Sequence, residues 1–144
     1  MDLSEVRVLE VDDSAPWRCF VAEFLRERSV PVVGTAADGL EGIDKARAMQ
    51  PDVILMDIWM PRLNGLAATR EISRLAPLSR ILIVSDERDP AIVEAAFAAG
   101  ARGYLLKSQA ALELLTALEA IVRGGVFIGR GLIGCGSDVP RCDA

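Results

Sequence analysis

The sequence has no histidine and only three cysteines among its 144 residues. Cys19, Cys135 and Cys142 are odd in number and lack the spacing of metal ligands. These shortages exclude a zinc site and any catalytic triad that depends on histidine. Any chemistry must therefore come from carboxylates, hydroxyls and amines.

Aromatic residues make up only 5% of the chain, whereas hydrophobic residues of all kinds make up 51%. The core is therefore expected to be aliphatic, as in a parallel sheet covered by helices rich in alanine and leucine. No apolar stretch approaches the roughly 20 residues of a membrane-spanning helix. The amino terminus lacks the basic and apolar regions of a signal peptide, so we expect a soluble, cytoplasmic protein.

An excess of basic residues is also missing. Lys and Arg number 16 against 21 Asp and Glu, which gives a formal net charge of −5. Surfaces that hold a nucleic-acid backbone are normally basic. We therefore do not expect this chain to bind nucleic acid directly.

Apolar segments of strand length alternate with segments of helical period along most of the chain. This alternation favours an α/β fold with a parallel sheet, because parallel strands need crossover connections. Five such units predict a flavodoxin-like, doubly wound sheet of order 2-1-3-4-5 with helices on both faces. We assign residues 1–125 to one domain, and residues 126–144 to a Gly-rich tail with an apolar anchor at 126–128 and no helix-turn-helix. The predicted strands are 6–11, 31–34, 51–57, 80–84 and 103–106.

Acidic residues follow two of these strands where each strand ends. Asp57 closes the apolar run 51–57, and the pair Asp12-Asp13 follows the first strand. Each acidic site taken singly is more often a turn former or a helix cap than part of a functional site. In the predicted order, however, strands one and three are neighbours, so the three carboxylates meet in one crevice. Carboxylates so placed repel unless a cation lies between them, which predicts a Mg²⁺ site for phosphate chemistry.

Two more strands end in polar residues at the same edge of the sheet. Ser85 follows the fourth strand and Lys107 follows the fifth. Alone, Ser85 is typical of a helix cap and Lys107 of a solvated surface charge. Beside the acids, a hydroxyl can donate to a phosphoryl oxygen and an ammonium can neutralise its charge.

The residues at these strand ends belong to longer motifs, which read Asp12-Asp13, Met56-Asp-Ile-Trp-Met-Pro61, Asn64-Gly65, Ser85 and Ala99-Gly-Ala-Arg-Gly-Tyr-Leu-Leu-Lys107. On these motifs the chain resembles, from about residue 6 to residue 123, the receiver domain of two-component response regulators. The segment 103–108 and the Gly124-Gly125-Val-Phe stretch are similar to the NarL/FixJ (LuxR-type) subgroup, whose members usually carry a DNA-binding helix-turn-helix after the receiver.

The resemblance implies that Asp57 accepts a phosphoryl group in a Mg²⁺-dependent step. The donor would be a sensor histidine kinase or a small phosphodonor. Asp13, Asp57 and the backbone carbonyl of Trp59 would bind the metal, with Asp12 acting through water or more weakly. The chain would catalyse only its own phosphorylation and dephosphorylation, so it is not expected to be a turnover enzyme.

The resemblance also implies a switch. Lys107 would pair with the phosphoryl group, Ser85 would hydrogen-bond it, and Tyr104 would move inward behind Ser85. It is equally possible that Tyr104 does not move on phosphorylation. The output surface would lie around the fourth helix, fifth strand and fifth helix, and would act on a downstream protein or on a DNA-binding domain outside this chain. No membrane partner is expected, and a homodimer stays open.

Four positions either depart from the family pattern or are expected to affect the rates of phosphorylation and dephosphorylation. Ser108 follows Lys107 where the family usually has a cis proline, and a cis bond before another residue costs about 3 kcal/mol. Asp86, beside Ser85, would repel a phosphoryl group if it faced inward. Trp59 and Glu87 stand where the family controls access of water, and we expect the bulk of Trp59 to shield an acyl phosphate.

Several functions fit this pattern. The chain is a stand-alone receiver, the receiver part of a transcriptional regulator, or a receiver-like scaffold that is never phosphorylated; the complete set of acids, Ser85 and Lys107 favours the first two. A phosphatase with an aspartate nucleophile is less favoured, because it needs a second Asp two residues after Asp57, where Trp59 stands. A Walker-type glycine loop is also absent from the sequence.

Overall fold

The computed structural model describes residues 2–132, in which strands and helices alternate. The predicted tail beyond residue 132, with Cys135 and Cys142, lies outside the described residues. The strands are β1 Val8–Val11, β2 Val32–Ala36, β3 Val53–Met56, β4 Arg80–Ser85, β5 Gly103–Leu106 and β6 Phe127–Ile128. The helices are α1 Ala15–Arg26, α2 Gly39–Met49, α3 Gly65–Leu75, α4 Pro90–Ala99 and α5 Ala110–Val122, with short 3-10 turns at Leu3–Glu5 and Lys107–Gln109.

All strands of this sheet run parallel, in the order β2-β1-β3-β4-β5-β6. The flavodoxin-like α/β fold and the order of the first five strands are confirmed. The predicted number of strands was one too few, because Phe127 and Ile128 pair with β5 opposite Gly103 and Tyr104. β2 also extends two residues past Gly34, because Thr35 and Ala36 pair with the end of β1.

Two hydrophobic layers cover the sheet, as its continuous apolar strands predict. One layer packs β-strand residues such as Leu9, Ile54 and Ile83 against α2, α3 and α4. The other packs alternate strand residues, such as Leu55 and Val84, against α1 and α5. Because successive side chains point to opposite faces, the residues that follow each strand are delivered to a defined face at its carboxyl end.

The helices that leave the carboxyl edge begin at polar caps. The side chains of Ser14, Asp38, Asn64 and Asp89 each accept a hydrogen bond from a backbone N–H in the first turn of α1, α2, α3 and α4. These caps satisfy donors that the helix leaves unpaired and fix where each helix starts. The loops of the carboxyl edge are therefore held at both ends.

The loop between β3 and α3 folds back onto Asp57, and Gly65 makes this possible. The Gly65 N–H donates to the Ile58 carbonyl at 2.7 Å. A Cβ at position 65 would lie 1.8 Å from the Asp57 carbonyl oxygen, so a side chain cannot be accommodated without moving backbone. Gly65 therefore fixes the path of the chain directly after the site.

Candidate functional site

Three carboxylates meet at the carboxyl edge of the sheet, where β1 and β3 are neighbours. One oxygen from each of Asp12, Asp13 and Asp57 lies within 4.8 Å of the others. Asp12 and Asp57 are buried, whereas Asp13 is exposed. The crevice predicted from the strand order is thus present, with one wall open to solvent.

Lys107 supplies the positive charge of this cluster from the end of β5. Its Nζ lies 2.8 Å from Asp12 Oδ2 and 3.4 Å from Asp57 Oδ2, and 5.1 Å from the centre of the Trp17 ring. Burial alone would lower the pKa of Lys107, but its hydrogen bond to Asp12 and the charge of Asp57 outweigh burial and raise it. Lys107 therefore stays protonated between the two buried acids.

Asp57 is harder to ionise than an ordinary aspartate. Burial, followed by the negative charge of Asp12, raises the pKa of Asp57 to about 6. The charge of Lys107 and the Ile58 N–H, which donates to Asp57 Oδ1 at 2.8 Å, act in the opposite direction. At neutral pH the carboxylate form still predominates.

A fourth acid lies directly beneath this cluster, and the sequence analysis did not single it out. Glu10 precedes Asp12 by two residues in β1, and both line a cavity of about 10 Å³ with Asp57 and Trp17. Neither carboxyl oxygen of Glu10 has a hydrogen-bond partner. Burial and the charge of Asp12 raise its pKa to about 8. The available signal was a glutamate inside the otherwise apolar strand Val8–Val11.

Glu87 joins the two predicted switch residues to the loop after Asp57. Its N–H donates to Ser85 Oγ at 3.1 Å, and its carbonyl accepts from the Tyr104 hydroxyl at 2.8 Å. Its Oε1 accepts from the Trp59 indole N–H at 3.0 Å. Hydrogen bonds from the Asp89 N–H and the Trp59 indole lower the pKa of Glu87 and keep it charged.

The structure places the predicted site residues in two groups. Asp12, Asp13, Asp57 and Lys107 come together as one cluster, while Ser85, Tyr104 and Trp59 meet through Glu87. Tyr104 is fully buried, and its movement on phosphorylation stays a prediction. Trp59 makes its contact through the indole; its carbonyl as a metal ligand stays a prediction.

Ser108 and Asp86 are the two residues that depart from the family pattern. Every peptide bond in residues 2–132 is trans, and Ser108 lies in the 3-10 turn that leads into α5. Lys107 reaches both acids from this geometry. Asp86 is exposed on the surface, so the inward orientation that would repel a phosphoryl group is not adopted.

The donor set fits a hard divalent cation. Three carboxylates against the single ammonium of Lys107 leave an excess of negative charge, which a divalent cation would neutralise. Carboxylate oxygens are ligands that Mg²⁺ prefers, and the exposed side at Asp13 leaves room for its waters. A much larger cavity, of about 730 Å³, lies between α1 and β2, but it gathers no comparable set of polar groups.

A parallel sheet with an acidic carboxyl edge and an opposing lysine defines a class of doubly wound α/β proteins whose ligands bind at the carboxyl ends of the strands. Residues 8–119 match the family model of the response regulator receiver domain, and the chain belongs to this family.

Its relatives include members of the predicted subgroup. A two-component response regulator of the LuxR family from Aurantimonas superposes with a TM-score of 0.80 at 36% identity, over 84% of this chain and 87% of that one. The transcriptional regulatory protein PdtaR of Mycobacterium tuberculosis is 41% identical over 118 residues, which is 81% of this chain and 56% of that protein. The chemotaxis protein CheY of Thermotoga maritima is 33% identical, over 80% of this chain and 96% of its own length.

The chain spans about half the length of the first curated relatives that it matches, between 53% and 56% of four transcriptional regulatory proteins. The matched region is the receiver. Among residues 2–132, no helix has the length and apolar character needed to span a membrane.

Proposed function

We propose that this chain is a phosphorylation-dependent signalling switch in which Asp57 accepts a phosphoryl group. The observation that carries the proposal is the position of Lys107 Nζ, 2.8 Å from Asp12 and 3.4 Å from Asp57, beside three convergent carboxylates. A sensor histidine kinase would supply the phosphoryl group, and a small phosphodonor would replace it in solution.

In the transfer step, a carboxylate oxygen of Asp57 attacks the phosphorus of the donor. The bond between phosphorus and the donor nitrogen or oxygen breaks, its electron pair leaves with the donor, and an acyl phosphate forms on Asp57. Lys107 offsets charge on the transferred group, which is the main electrostatic need of this reaction. Asp12, Asp13, Asp57 and the Trp59 carbonyl would hold Mg²⁺, which supplies charge neutralisation when bound.

The switch follows from what the phosphoryl group would contact. A phosphoryl group brings roughly two negative charges and several acceptor oxygens next to Ser85 and Lys107. Ser85 shares Glu87 with Tyr104, so a hydroxyl that turns toward the phosphoryl group disturbs the contacts of both. The surface formed by α4, β5 and α5 would change in response and act on the downstream partner.

The half-length match to transcriptional regulatory proteins supports the receiver part of such a regulator. The match to nearly the whole of a chemotaxis protein supports a stand-alone receiver as the second option. In both cases residues 1–125, with β6 added to their sheet, would form the receiver unit, the residues after β6 would follow it as a tail or linker, and the protein would work in the cytoplasm.

The proposal is tested by exposing the purified chain to acetyl phosphate and Mg²⁺ and measuring its intact mass. Wild type should gain one phosphoryl group, Asp57→Asn should gain none, and the surface variant Asp44→Asn should behave as wild type. Chelation of Mg²⁺ should abolish the gain. A wild type that stays unmodified with small donors and with its kinase would instead make the chain a protein-interaction scaffold.

A further inference from the structure

Residues 126–132, here called the strap, lie along the outer edge of β5. The Phe127 N–H donates to the Arg102 carbonyl at 3.0 Å, and the Gly129 N–H donates to the Tyr104 carbonyl at 2.9 Å. The Arg130 N–H donates to both carboxylate oxygens of Glu113 on α5, at 3.1 and 3.2 Å. The strap thus occupies the hydrogen-bonding edge that β5 would otherwise present between α4 and α5.

Side chains of the strap fill both layers beside β5. Phe127 is buried in the layer under α1 and α5. Ile128 packs against the opposite layer, and Leu132 is buried in that layer with Tyr104 and Leu106. The three apolar side chains therefore anchor the strap on both faces beside β5, in the way that an added strand docks on a sheet edge.

Two glycines let the strap approach this closely. A Cβ at Gly129 would lie 3.0 Å from Glu113 Oε1 and 3.1 Å from Leu105 Cβ. Gly131 has φ +88°, and a Cβ there would lie 2.9 Å from the Leu106 side chain. The sequence of the strap is therefore matched to the groove, and any other residue at position 129 would loosen its seat.

The strap is nevertheless short. Only Phe127 and Ile128 form ladder pairs with β5, and Arg130 and Gly131 are exposed. Edge segments with so few contacts open more readily than the strands beneath them. Release of the strap would therefore break fewer ladder pairs than release of any other strand of the sheet.

The strap also touches the proposed switch. Tyr104 accepts from the strap through its carbonyl and donates to Glu87 through its hydroxyl. Gly131 lies next to Arg88, one residue after Glu87 in the loop between β4 and α4. A change at Ser85 or Glu87 would therefore reach the residues on which the strap is seated.

We propose that the edge of β5 between α4 and α5 is a binding groove for an extended peptide segment, and that the strap is its resident intramolecular ligand. A protein partner can bind this groove only after the strap has left it, and phosphorylation of Asp57 promotes the release of the strap. The second half of this inference rests on the proposed function; the groove and its occupant do not.

Peptide binding tests the groove without any phosphorylation. The probe is the peptide Gly-Val-Phe-Ile-Gly-Arg-Gly-Leu, which corresponds to residues 125–132, titrated by calorimetry into wild type and Gly129→Val. The valine should unseat the strap and leave the groove intact, so the apparent affinity should rise at least about tenfold, because a resident ligand reduces affinity in proportion to the time it occupies the site. A scrambled peptide should not bind.

Controls separate this result from general loosening. Gly124→Ala strains the backbone at a glycine outside the strap, φ +91°, where a Cβ would meet no atom within 4 Å, and should bind the peptide as wild type does. Leu132→Ala, which removes the far anchor of the strap, replaces Gly129→Val if that variant fails to fold. Equal peptide affinity in folded wild type and in both strap variants would overturn the groove, and a dimer of the strap variants would assign the groove to a second copy.

Hydrogen exchange tests the coupling to Asp57. Beryllofluoride with Mg²⁺ should raise the exchange rate of the Gly129 and Arg130 amides about tenfold in wild type and leave Asp57→Asn unchanged. Fluorine NMR reports whether the site is loaded. If beryllofluoride binds at Asp57 without faster exchange, the coupling is overturned and the proposed function stands. If beryllofluoride does not bind, the proposed function and the coupling are both overturned. The peptide titration decides the groove in either case.

Discussion

Glu10 and Asp12 are two residues apart on β1 and line the same small cavity, yet their surroundings differ sharply. Asp12 accepts a hydrogen bond from the Ser14 N–H and is paired with Lys107. Glu10, one layer deeper, has no hydrogen-bond partner for either oxygen. The comparison shows that two buried carboxyls on one strand can differ in their partners: Asp12 is paired with Lys107, whereas burial without a hydrogen-bond partner raises the pKa of Glu10.

Glu10→Gln should give the largest effect in this comparison. The pKa of Glu10 is about 8 in the folded chain and near 4.5 when unfolded, so the unfolded chain loses the proton first as pH rises. The free energy of unfolding should fall between pH 4.5 and pH 8 and then level off. Glutamine removes this loss, so the variant should be more stable than wild type by on the order of 4 kcal/mol at high pH.

Urea unfolding of both proteins at pH 5 and pH 9, without divalent cations, measures this difference. The two stabilities should nearly coincide at the lower pH. The free energy of unfolding of the variant should still fall with pH, but less steeply, because the pKa of Asp57 is also raised, to about 6. Parallel curves for the two proteins would mean that Glu10 is not the protonated group.

Lys107→Met should give the next largest effect, because it removes the partner that distinguishes Asp12 from Glu10. Asp12 and Asp57 would then face each other without the ammonium between them, at a cost of about 3 kcal/mol. The rate of phosphoryl uptake should fall about a hundredfold, since an electrostatic contact to the transferred group is lost. Unfolding in urea and intact-mass time courses measure the two effects.

Lys45→Met is the matched control, because Lys45 pairs with Glu41 at 3.1 Å on the exposed face of α2. Its stability should change by about 0.5 kcal/mol or less. Equal losses for Lys45→Met and Lys107→Met would show that burial adds nothing to the pair at the site.

Trp59→Ala tests the side of the site that faces solvent, where Trp59 lies. Trp59 is 55% exposed and is held by its hydrogen bond to Glu87. Its loss should admit water and speed the decay of the acyl phosphate, by about threefold or more. Trp59→Phe keeps the bulk but not the N–H, so a decay rate near wild type would assign the effect to shielding, and a slower or unchanged decay in Trp59→Ala would contradict it.

Asp86→Asn should have the smallest effect. Asp86 adjoins Ser85 in sequence but is exposed, so solvent and salt screen its charge from the site. Phosphoryl uptake should change by less than about twofold, as measured by intact mass at two salt concentrations. A marked acceleration at low salt alone would show that the carboxylate does turn inward.

The pattern of strands and helices, and the meeting of Asp12, Asp13 and Asp57, could be predicted because apolar periodicity and strand order determine them. The partnerless state of Glu10 could not, because it depends on which face of β1 the residue occupies and on what packs there. The sixth strand has only two paired residues, too few for a periodic signal. The contacts of Glu87 depend on the loop conformation, which no repeat in the sequence encodes.

The chain has only two tryptophans, and both stand at the candidate site. Trp17 lies 5.1 Å from the Lys107 ammonium, half buried, and Trp59 lies exposed against Glu87 on the far side. Their emission maxima should differ, because one indole is shielded and the other is in water. The protein therefore carries its own pair of fluorescent reporters, and a single substitution to phenylalanine leaves each one to be read alone.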